Sequence, residues 1–208
     1  MPAAQADRGA RARTLRLMVE TATRMMQDGA SPTVSDVAEC AGVSRSTAYR
    51  YFPTRDAMVQ AVVGRALGPV LDWAPPPADR MGRVLSLFQT SFPRLMESEA
   101  TFRAALRQSL EAGSAPSEGT GDGQAPAARV GGRGHRVDLL SLALAGDRAR
   151  PLGPSERRLA QALSLAFGIE SIVVLKDIWG LDDERVQDVV LWVASALLRA
   201  AQEEGAIL

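Results

Sequence analysis

Apolar side chains recur at intervals of three and four residues along most of this 208-residue chain. In the first such stretch, Leu15, Met18, Ala22 and Met26 fall on one face of a helix, because a helix completes a turn every 3.6 residues. The same spacing returns in later segments of the chain. The pattern therefore predicts an all-α fold.

Residues that favour helix ends divide the N-terminal third of the chain into four predicted helices. Thr33, Ser44 and Thr54 stand where helices would begin, since their hydroxyl groups can accept hydrogen bonds from free backbone N–H groups. Asp36 follows Thr33 by three positions and matches a capping box. The predicted helices cover residues 11–27, 33–41, 44–51 and 55–72.

The rest of the chain predicts further helices, separated by segments rich in proline and glycine. The stretch 73–77 ends in three prolines and marks a stiff boundary between two domains. Apolar stripes then end at Pro93 and at Gly113, the second containing Phe102, Leu106 and Leu110. Residues 113–136 contain seven Gly, two Pro and few apolar side chains, which predicts a mobile loop. The remaining predicted helices are 137–145, 154–177 and 182–203, and the predicted domains are 1–54 and 73–208, connected by helix 55–72.

The cysteine and histidine content argues against catalysis and metal binding. Cys40 is the single cysteine, so an intramolecular disulfide is excluded. His135 is the single histidine, which leaves no His/Cys cluster for zinc, no Glu-x-x-His pair and no Ser/His/Asp set. We therefore expect a protein that is not an enzyme and has no cofactor and no bound metal.

Charge and hydropathy indicate the kind of partner and the compartment. The net charge is zero, with 24 basic and 24 acidic residues, but residues 44–55 hold three arginines and no carboxylate. A locally basic face attracts phosphate even on a neutral protein. No apolar run approaches the roughly 20 residues that span a bilayer, and the arginine-containing start lacks the apolar run of a signal peptide. This pattern predicts a cytoplasmic protein.

The second and third predicted helices are joined by a short turn, 41–44, that contains a glycine. This is the helix-turn-helix arrangement. The surrounding string, TVSDVAECAGVSRSTAYRYFPTRDAM at 33–58, resembles the N-terminal domain of the TetR (tetracycline-repressor) family almost position by position. The resemblance implies a three-helix, helix-turn-helix DNA-binding domain followed by a helical-bundle domain for ligand binding and dimerisation. One departure is Ala48, where the family commonly has a larger apolar residue.

Val43, Ala48 and Phe52 would face inward in the third helix, which leaves the opposite face for DNA. Arginine can donate twice to guanine, and a tyrosine ring can touch a thymine methyl group. The DNA-binding candidates on this face are Arg45, Ser46, Tyr49 and Arg50. Of these, Arg45, Ser46 and Tyr49 are expected to read the base sequence. The resemblance implies phosphate contacts for Thr47 and Tyr51 and a cation at Arg55, and the backbone amides at the Ser44 and Thr54 helix starts could add more.

Structural interpretations stand beside these functional ones. Arg50 could be a solvated charge, and both tyrosines could be partly buried packing residues. The four N-terminal arginines are either a disordered tail or an arm for the minor groove. They are Arg8, Arg11, Arg13 and Arg16.

The C-terminal domain contains candidates for a ligand pocket between helices. Apolar residues could line the cavity and a few polar ones could orient a small molecule, although single aromatics at helical spacing are more often plain core. Glu170 would need a partner if buried, whether a ligand amine, an arginine or solvent. The apolar candidates are Phe88, Phe92, Phe102, Leu106, Leu140, Leu144 and Phe167, and the polar ones are Gln89, Glu170 and Ser171.

The last two predicted helices, 154–177 and 182–203, are apolar on more than one face. A helix in a chain of this size usually buries one stripe, so a second covering surface is required. A second copy of the chain supplies it, and the resemblance implies the same homodimer. The leading hypothesis is a repressor that a small molecule releases from a palindromic operator. The alternatives are a ligand-binding or protein-interaction module, or an activator of the same family.

Overall fold

The computed structural model describes residues 2–113 and 131–205, and in those ranges the regular elements are all helices, without a strand. This confirms the all-α prediction. Residues 114–130, most of the predicted loop, lie outside the described residues. The helices are α1 (Pro2–Gln27), α2 (Val34–Cys40), α3 (Arg45–Tyr51), α4 (Arg55–Leu67), α5 (Arg80–Glu97), α6 (Glu99–Gly113), α7 (Gly131–Ala145), α8 (Pro154–Ala166), α9 (Ile169–Val173) and α10 (Asp183–Glu203).

The chain forms two compact units. The first contains residues 2–66 with the described part of 100–124, and the second contains 67–99 with the described part of 125–208. In the first unit α1 packs on α2, and α2 on α3. Its core includes five side chains with no solvent exposure: Met18, Ala22, Val37, Ala48 and Met58.

Two helix ends and one helix face in this region differ from the sequence prediction. The first helix begins at Pro2, ahead of the predicted start at residue 11. The fourth ends at Leu67 instead of continuing to 72, because Gly68 has a φ of +47° and a proline follows it, so the chain passes into a 3₁₀ turn over 68–72. On α6, Leu110 is 62% exposed, and Thr101 and Ala104 are buried with Phe102.

The second unit is a bundle in which α5 packs against α7 and α10, and α8 also packs against α7 and α10. Helix α5 does not stop at the predicted Pro93 but continues to Glu97, although proline cannot donate the usual backbone hydrogen bond. Helix α7 begins at Gly131, six residues before the predicted start at Val137, so residues 131–136 are helical rather than loop.

The predicted helix 154–177 is broken after Ala166 and resumes as α9, followed by a π-helical turn over 174–178. The break falls at Gly168, whose φ of +150° favours glycine. A Cβ atom there would overlap the guanidinium group of Arg136, so a larger residue could fit only if that side chain moved. In the described part of the chain no single helix could cross a membrane by length and hydropathy, but α8 and the segment 169–178, bent by 40°, pass that test as a pair.

A buried carboxylate joins three helix ends of the second unit. Glu156, in the first turn of α8, is 7% exposed. Its carboxylate accepts hydrogen bonds from Arg80 (2.8 Å), from Arg150 (2.7 Å) and from the backbone N–H of Gly153 (3.0 Å). The bond from Arg150 is the main cause that lowers the pKa of Glu156, against burial, which raises it. Arg80 also donates to the Leu144 carbonyl near the end of α7.

This arrangement predicts that Glu156→Gln destabilises the protein by about 1–3 kcal/mol at pH 7, since hydrogen bonds to charged groups are lost. The pKa of Glu156 is lower in the folded than in the unfolded chain, so its stabilisation is complete above the unfolded pKa of about 4.3. It is lost as the pH falls through the folded value. The difference in unfolding free energy between the variant and the wild type should therefore become smaller below about pH 4.3. Urea unfolding at one fixed protein concentration measures it.

The matched control is Glu97→Gln. Glu97 pairs with Arg94, but its side chain is 67% exposed, so its loss should cost less than about 0.5 kcal/mol. Equal losses in the two variants would contradict a special role for Glu156.

Candidate nucleic-acid interface

Capping interactions at α2 position the helix-turn-helix. The backbone N–H of Asp36 donates to the Thr33 hydroxyl at 3.2 Å, and the Thr33 N–H donates to the Asp36 carboxylate at 2.8 Å. This confirms the predicted capping box. The hydrogen bond from the Thr33 backbone is the main cause that lowers the pKa of Asp36, and the charges of Arg45 and Arg55 lower it further.

The turn into α3 is also built locally. Gly42 has a φ of +65°, which allows the chain to reverse after α2. Ser44 then caps α3, because its hydroxyl accepts from the Thr47 N–H at 3.3 Å. At the start of α4, the Ala57 N–H donates to the Thr54 hydroxyl at 3.1 Å. The predicted caps at Ser44 and Thr54 are confirmed.

Helix α3 has one buried and one exposed face. Ala48 and Phe52 are 0% and 3% exposed, as the inward assignment predicts, whereas Val43 is only half-buried. Ala48 is thus fully buried in the core although its side chain is small. The residues left in solvent on α3 are Arg45, Ser46, Tyr49 and Arg50.

The hydroxyl groups of this region are held by near neighbours. The Ser44 hydroxyl donates to that of Thr47 at 2.9 Å, and the Tyr49 hydroxyl lies 3.3 Å from that of Ser35 on α2. Tyr51 is half-buried and donates to the Arg11 carbonyl of α1 at 3.3 Å. These hydrogen bonds fix the orientation of both phenol groups, and Tyr49 remains 46% exposed.

Arg55 is more embedded than the sequence suggests. Its Nε donates to the Pro32 carbonyl at 3.1 Å, and its Nη2 is buried without a hydrogen-bond partner among the described residues. The side chain thus connects the start of α4 to the residue before the α2 cap. Burial of this kind depends on tertiary packing, so spacing along the sequence does not indicate it.

The structure brings some of the predicted pocket residues together. The rings of Phe88, Phe92 and Phe167 form one buried cluster, with centroids 4.9–6.3 Å apart. Leu140 and Leu144 are buried in the same unit. Phe102 and Leu106 lie on α6 in the first unit, buried and half-buried respectively.

The three polar pocket candidates lie in different surroundings. Gln89 is exposed. Glu170 accepts a hydrogen bond from Arg136 at 2.5 Å, so its partner is an arginine that the sequence interpretation had placed in the loop. The Ser171 hydroxyl is within 3.0 Å of the Ala166 carbonyl and 2.8 Å of the Gly168 carbonyl, at the break after α8.

Sequence reasoning missed one polar group in this unit. Ser91 lies on α5, is 1% exposed, and its hydroxyl has no hydrogen-bond partner among the described residues. The available signal was its position within an apolar stripe, four residues after Leu87 and four before Leu95.

Comparisons with known proteins agree with this architecture. Residues 18–62 match the family described as bacterial regulatory proteins, tetR family. The HTH-type transcriptional repressor LfrR of Mycolicibacterium smegmatis is 38% identical over 56 residues, which are 27% of this chain and 30% of LfrR. The matched stretch thus spans less than a third of that relative's length.

Two solved structures share the fold of nearly the whole chain. A TetR transcriptional regulator from Rhodococcus sp. RHA1 has a TM-score of 0.61 at 19% identity, covering 91% of this chain and 95% of its own. A tetR-family transcriptional regulator from Streptomyces coelicolor has a TM-score of 0.60 at 15% identity, covering 94% and 86%. Residues 18–62, which contain the helix-turn-helix, thus match the tetR family of bacterial regulatory proteins, and the chain as a whole is similar in fold to these two solved structures.

Proposed function

We propose that this protein is a sequence-specific DNA-binding transcriptional regulator and not an enzyme. The observation that carries the proposal is the exposed polar face of α3. Arg45 and Tyr49 lie one turn apart on this face, while Ala48 and Phe52 are buried on the opposite side. The major groove, about 12 Å wide, admits one α-helix. Arg45, Ser46 and Tyr49 would contact base edges there, and Arg50 adds positive charge to the same exposed face.

Phosphate contacts would fix the orientation of α3 without reading sequence. Thr47 and Tyr51 supply hydroxyl groups, and the helix starts at Ser44 and Thr54 supply backbone amides. Arg55 adds positive charge, while its Nε remains on the Pro32 carbonyl.

We further propose a homodimer formed through the last helices, in the segments 154–177 and 182–203. Leu165 on α8 and Trp192 on α10 are 81% and 68% exposed, which is unusual for large apolar side chains on a single chain. Covering them with a two-fold copy removes this apolar surface from water. Two α3 helices related in this way would meet successive major grooves, about 34 Å apart, of a near-palindromic operator in the cytoplasm.

The second unit would bind a small apolar or amphipathic effector. The buried ring cluster of Phe88, Phe92 and Phe167 supports this, and so does the Ser91 hydroxyl, for which the described residues offer no hydrogen-bond partner, because such sites combine apolar walls with a few polar groups. The effector would release DNA by binding the DNA-incompetent conformation more tightly, since equal affinity for both conformations shifts nothing. That LfrR is a transcriptional repressor supports repression over activation.

The test begins with selection of duplex DNA from a random-sequence pool, followed by gel-shift titration of the selected site at two salt concentrations. The proposal expects a sequence-selective shift that weakens with salt. No shift at low salt would favour a ligand-binding or protein-interaction module. A small molecule that co-purifies with the protein, identified by mass spectrometry, should then reduce the shift, whereas a stronger shift would point to an activator or co-repressor mechanism.

A further inference from the structure

The Ser91 hydroxyl group lies buried on α5 in the second unit, and no described residue forms a hydrogen bond with it. A serine inside a helix usually points into solvent or donates to a backbone carbonyl of the preceding turn. Ser195 on α10 does the latter, with its hydroxyl 2.8 Å from the Leu191 carbonyl. Ser91 does neither, so its hydroxyl is available to a molecule that enters the unit.

Ser91 lies near the middle of the buried face of α5. At about 100° per residue, it is about 40° around the helix from Leu87 on one side and from Leu95 on the other, and about 60° from Phe88. All of these side chains are buried, and α5 packs against α7 and α10. The hydroxyl group is therefore surrounded by apolar side chains and lies on the same helix face as the buried ring cluster.

The three polar residues that the sequence suggests for this pocket do not offer a comparable group. Gln89 is exposed. Glu170 is paired with Arg136, and the Ser171 hydroxyl lies 2.8 Å from the Gly168 carbonyl. Recognition of a polar atom inside the unit is thus left to Ser91.

The charged side chains of this unit are already paired where they are shielded from solvent. In the described part of the unit, each carboxylate that is buried or half-buried has a basic partner. These pairs are Glu99 with Lys176, Glu156 with Arg80, and Glu170 with Arg136. The other half-buried bases there are Arg83, which donates to the Ala143 carbonyl, and Arg94, which pairs with Glu97. A charged ligand would have to separate one of these interactions.

From the free hydroxyl group and these pairings we infer that the effector is an uncharged, mainly apolar molecule with one hydroxyl or carbonyl group, which pairs with the Ser91 hydroxyl. The inference rests on the proposed function, in which the second unit binds an effector. A serine hydroxyl both donates and accepts hydrogen bonds, so either group can pair with it. A charged group would instead be buried without a counter-charge, at a much larger cost in free energy.

The first test measures the binding of neutral and charged probes to the wild-type protein. Naphthalene and biphenyl serve as the apolar scaffolds, each as its hydroxyl, carboxylate and aminomethyl derivative. These derivatives are neutral, anionic and cationic at pH 7. By isothermal titration calorimetry, the hydroxyl derivative of at least one scaffold should bind about 10-fold more tightly, or better, than its two charged counterparts.

The second test removes the hydroxyl group with Ser91→Ala. The tightest hydroxyl probe should bind this variant about 5-fold to 100-fold more weakly, because its own hydroxyl is then buried without a partner. Ser195→Ala is the matched control, since it removes the same atom from a helix of the same unit, where the helix backbone already satisfies it. The control should keep its affinity for the probe within about twofold.

A measurement without any probe separates Ser91 from a structural hydrogen bond. Ser91→Ala should raise Tm by about 2–4 °C relative to Ser195→Ala at one protein concentration, because alanine removes the cost of burying an unpartnered hydroxyl group. Both variants gain the same helix propensity, so the comparison cancels that effect.

Tighter binding of a charged probe, no binding of either hydroxyl probe, or an unchanged affinity in Ser91→Ala would each overturn this inference. A lower Tm for Ser91→Ala than for Ser195→Ala would also overturn it, since the hydroxyl group would then have a stabilising partner. Failure of the proposed function has a different signature. Hydroxyl probes that bind through Ser91 but leave the gel shift of the selected duplex unchanged would contradict release of DNA by the effector, while the chemical class of the bound molecule would stand.

Discussion

The variant Arg45→Ala should lose sequence-selective binding to the selected operator by roughly 30-fold to 10⁴-fold. A good bidentate contact between arginine and guanine contributes about 1–3 kcal/mol of discrimination, and a dimer loses it in both half-sites. Arg45 is exposed in the first turn of α3, so alanine there removes the contact without opening the core. Gel-shift titration at one salt concentration, against the operator and a scrambled duplex, measures the loss.

Two controls distinguish base reading from a general loss of charge. Arg107→Ala removes an exposed arginine from α6 and should leave operator binding within about twofold. Thr47→Ala should weaken binding to operator and scrambled duplex alike, because phosphate contacts carry no sequence information. If Arg45→Ala lost affinity equally for both duplexes, its assignment to a base would be wrong.

The second large effect is expected at the dimer contact. Trp192→Glu should raise the dimer dissociation constant by about 10²-fold to 10⁴-fold. Burying a large apolar side chain contributes about 1.5–3 kcal/mol, and the symmetric dimer loses one such side chain from each subunit. Placing a carboxylate in the interface adds a desolvation cost. Sedimentation equilibrium around 10 µM should show a wild-type dimer and a monomeric variant with unchanged helical circular dichroism. Leu165→Glu should act in the same way.

Leu110→Glu is the matched control for this experiment. Leu110 is 62% exposed, similar to Trp192, but it belongs to α6 of the first unit and not to the segments 154–177 and 182–203 of the proposed interface. It should leave the dimer intact. A wild-type monomer at 10 µM, or a dimer that survives both glutamate substitutions, would exclude the proposed interface.

The elements that the sequence predicts correctly depend on interactions between close neighbours. The capping box of Thr33 and Asp36 spans three residues, and the Ser44 and Thr54 caps act over the same short distance. The exposed face of α3 follows from Ala48 and Phe52 four positions apart on its other side. Such interactions form wherever the local residues permit them, so inspection of the sequence finds them.

The errors arise where distant residues decide the outcome. The predicted helix 154–177 is periodic throughout, yet it breaks at Gly168, beside which Arg136 of α7 pairs with Glu170. Helix α5 continues through Pro93 because packing of its flanking residues, Phe92 and Leu95, holds both halves in the bundle.

Sequence alone thus determined the helical class, the caps of the helix-turn-helix and the polar face of α3, because each depends on propensity and on spacing within a few turns. Tertiary structure decided where the α8 segment bends, which partner Glu170 has, how deeply Arg55 is embedded, and that Arg11 lies beside Tyr51. These features join residues that are 23 to 40 positions apart or depend on the space between packed helices, and hydrophobic periodicity contains no information about either.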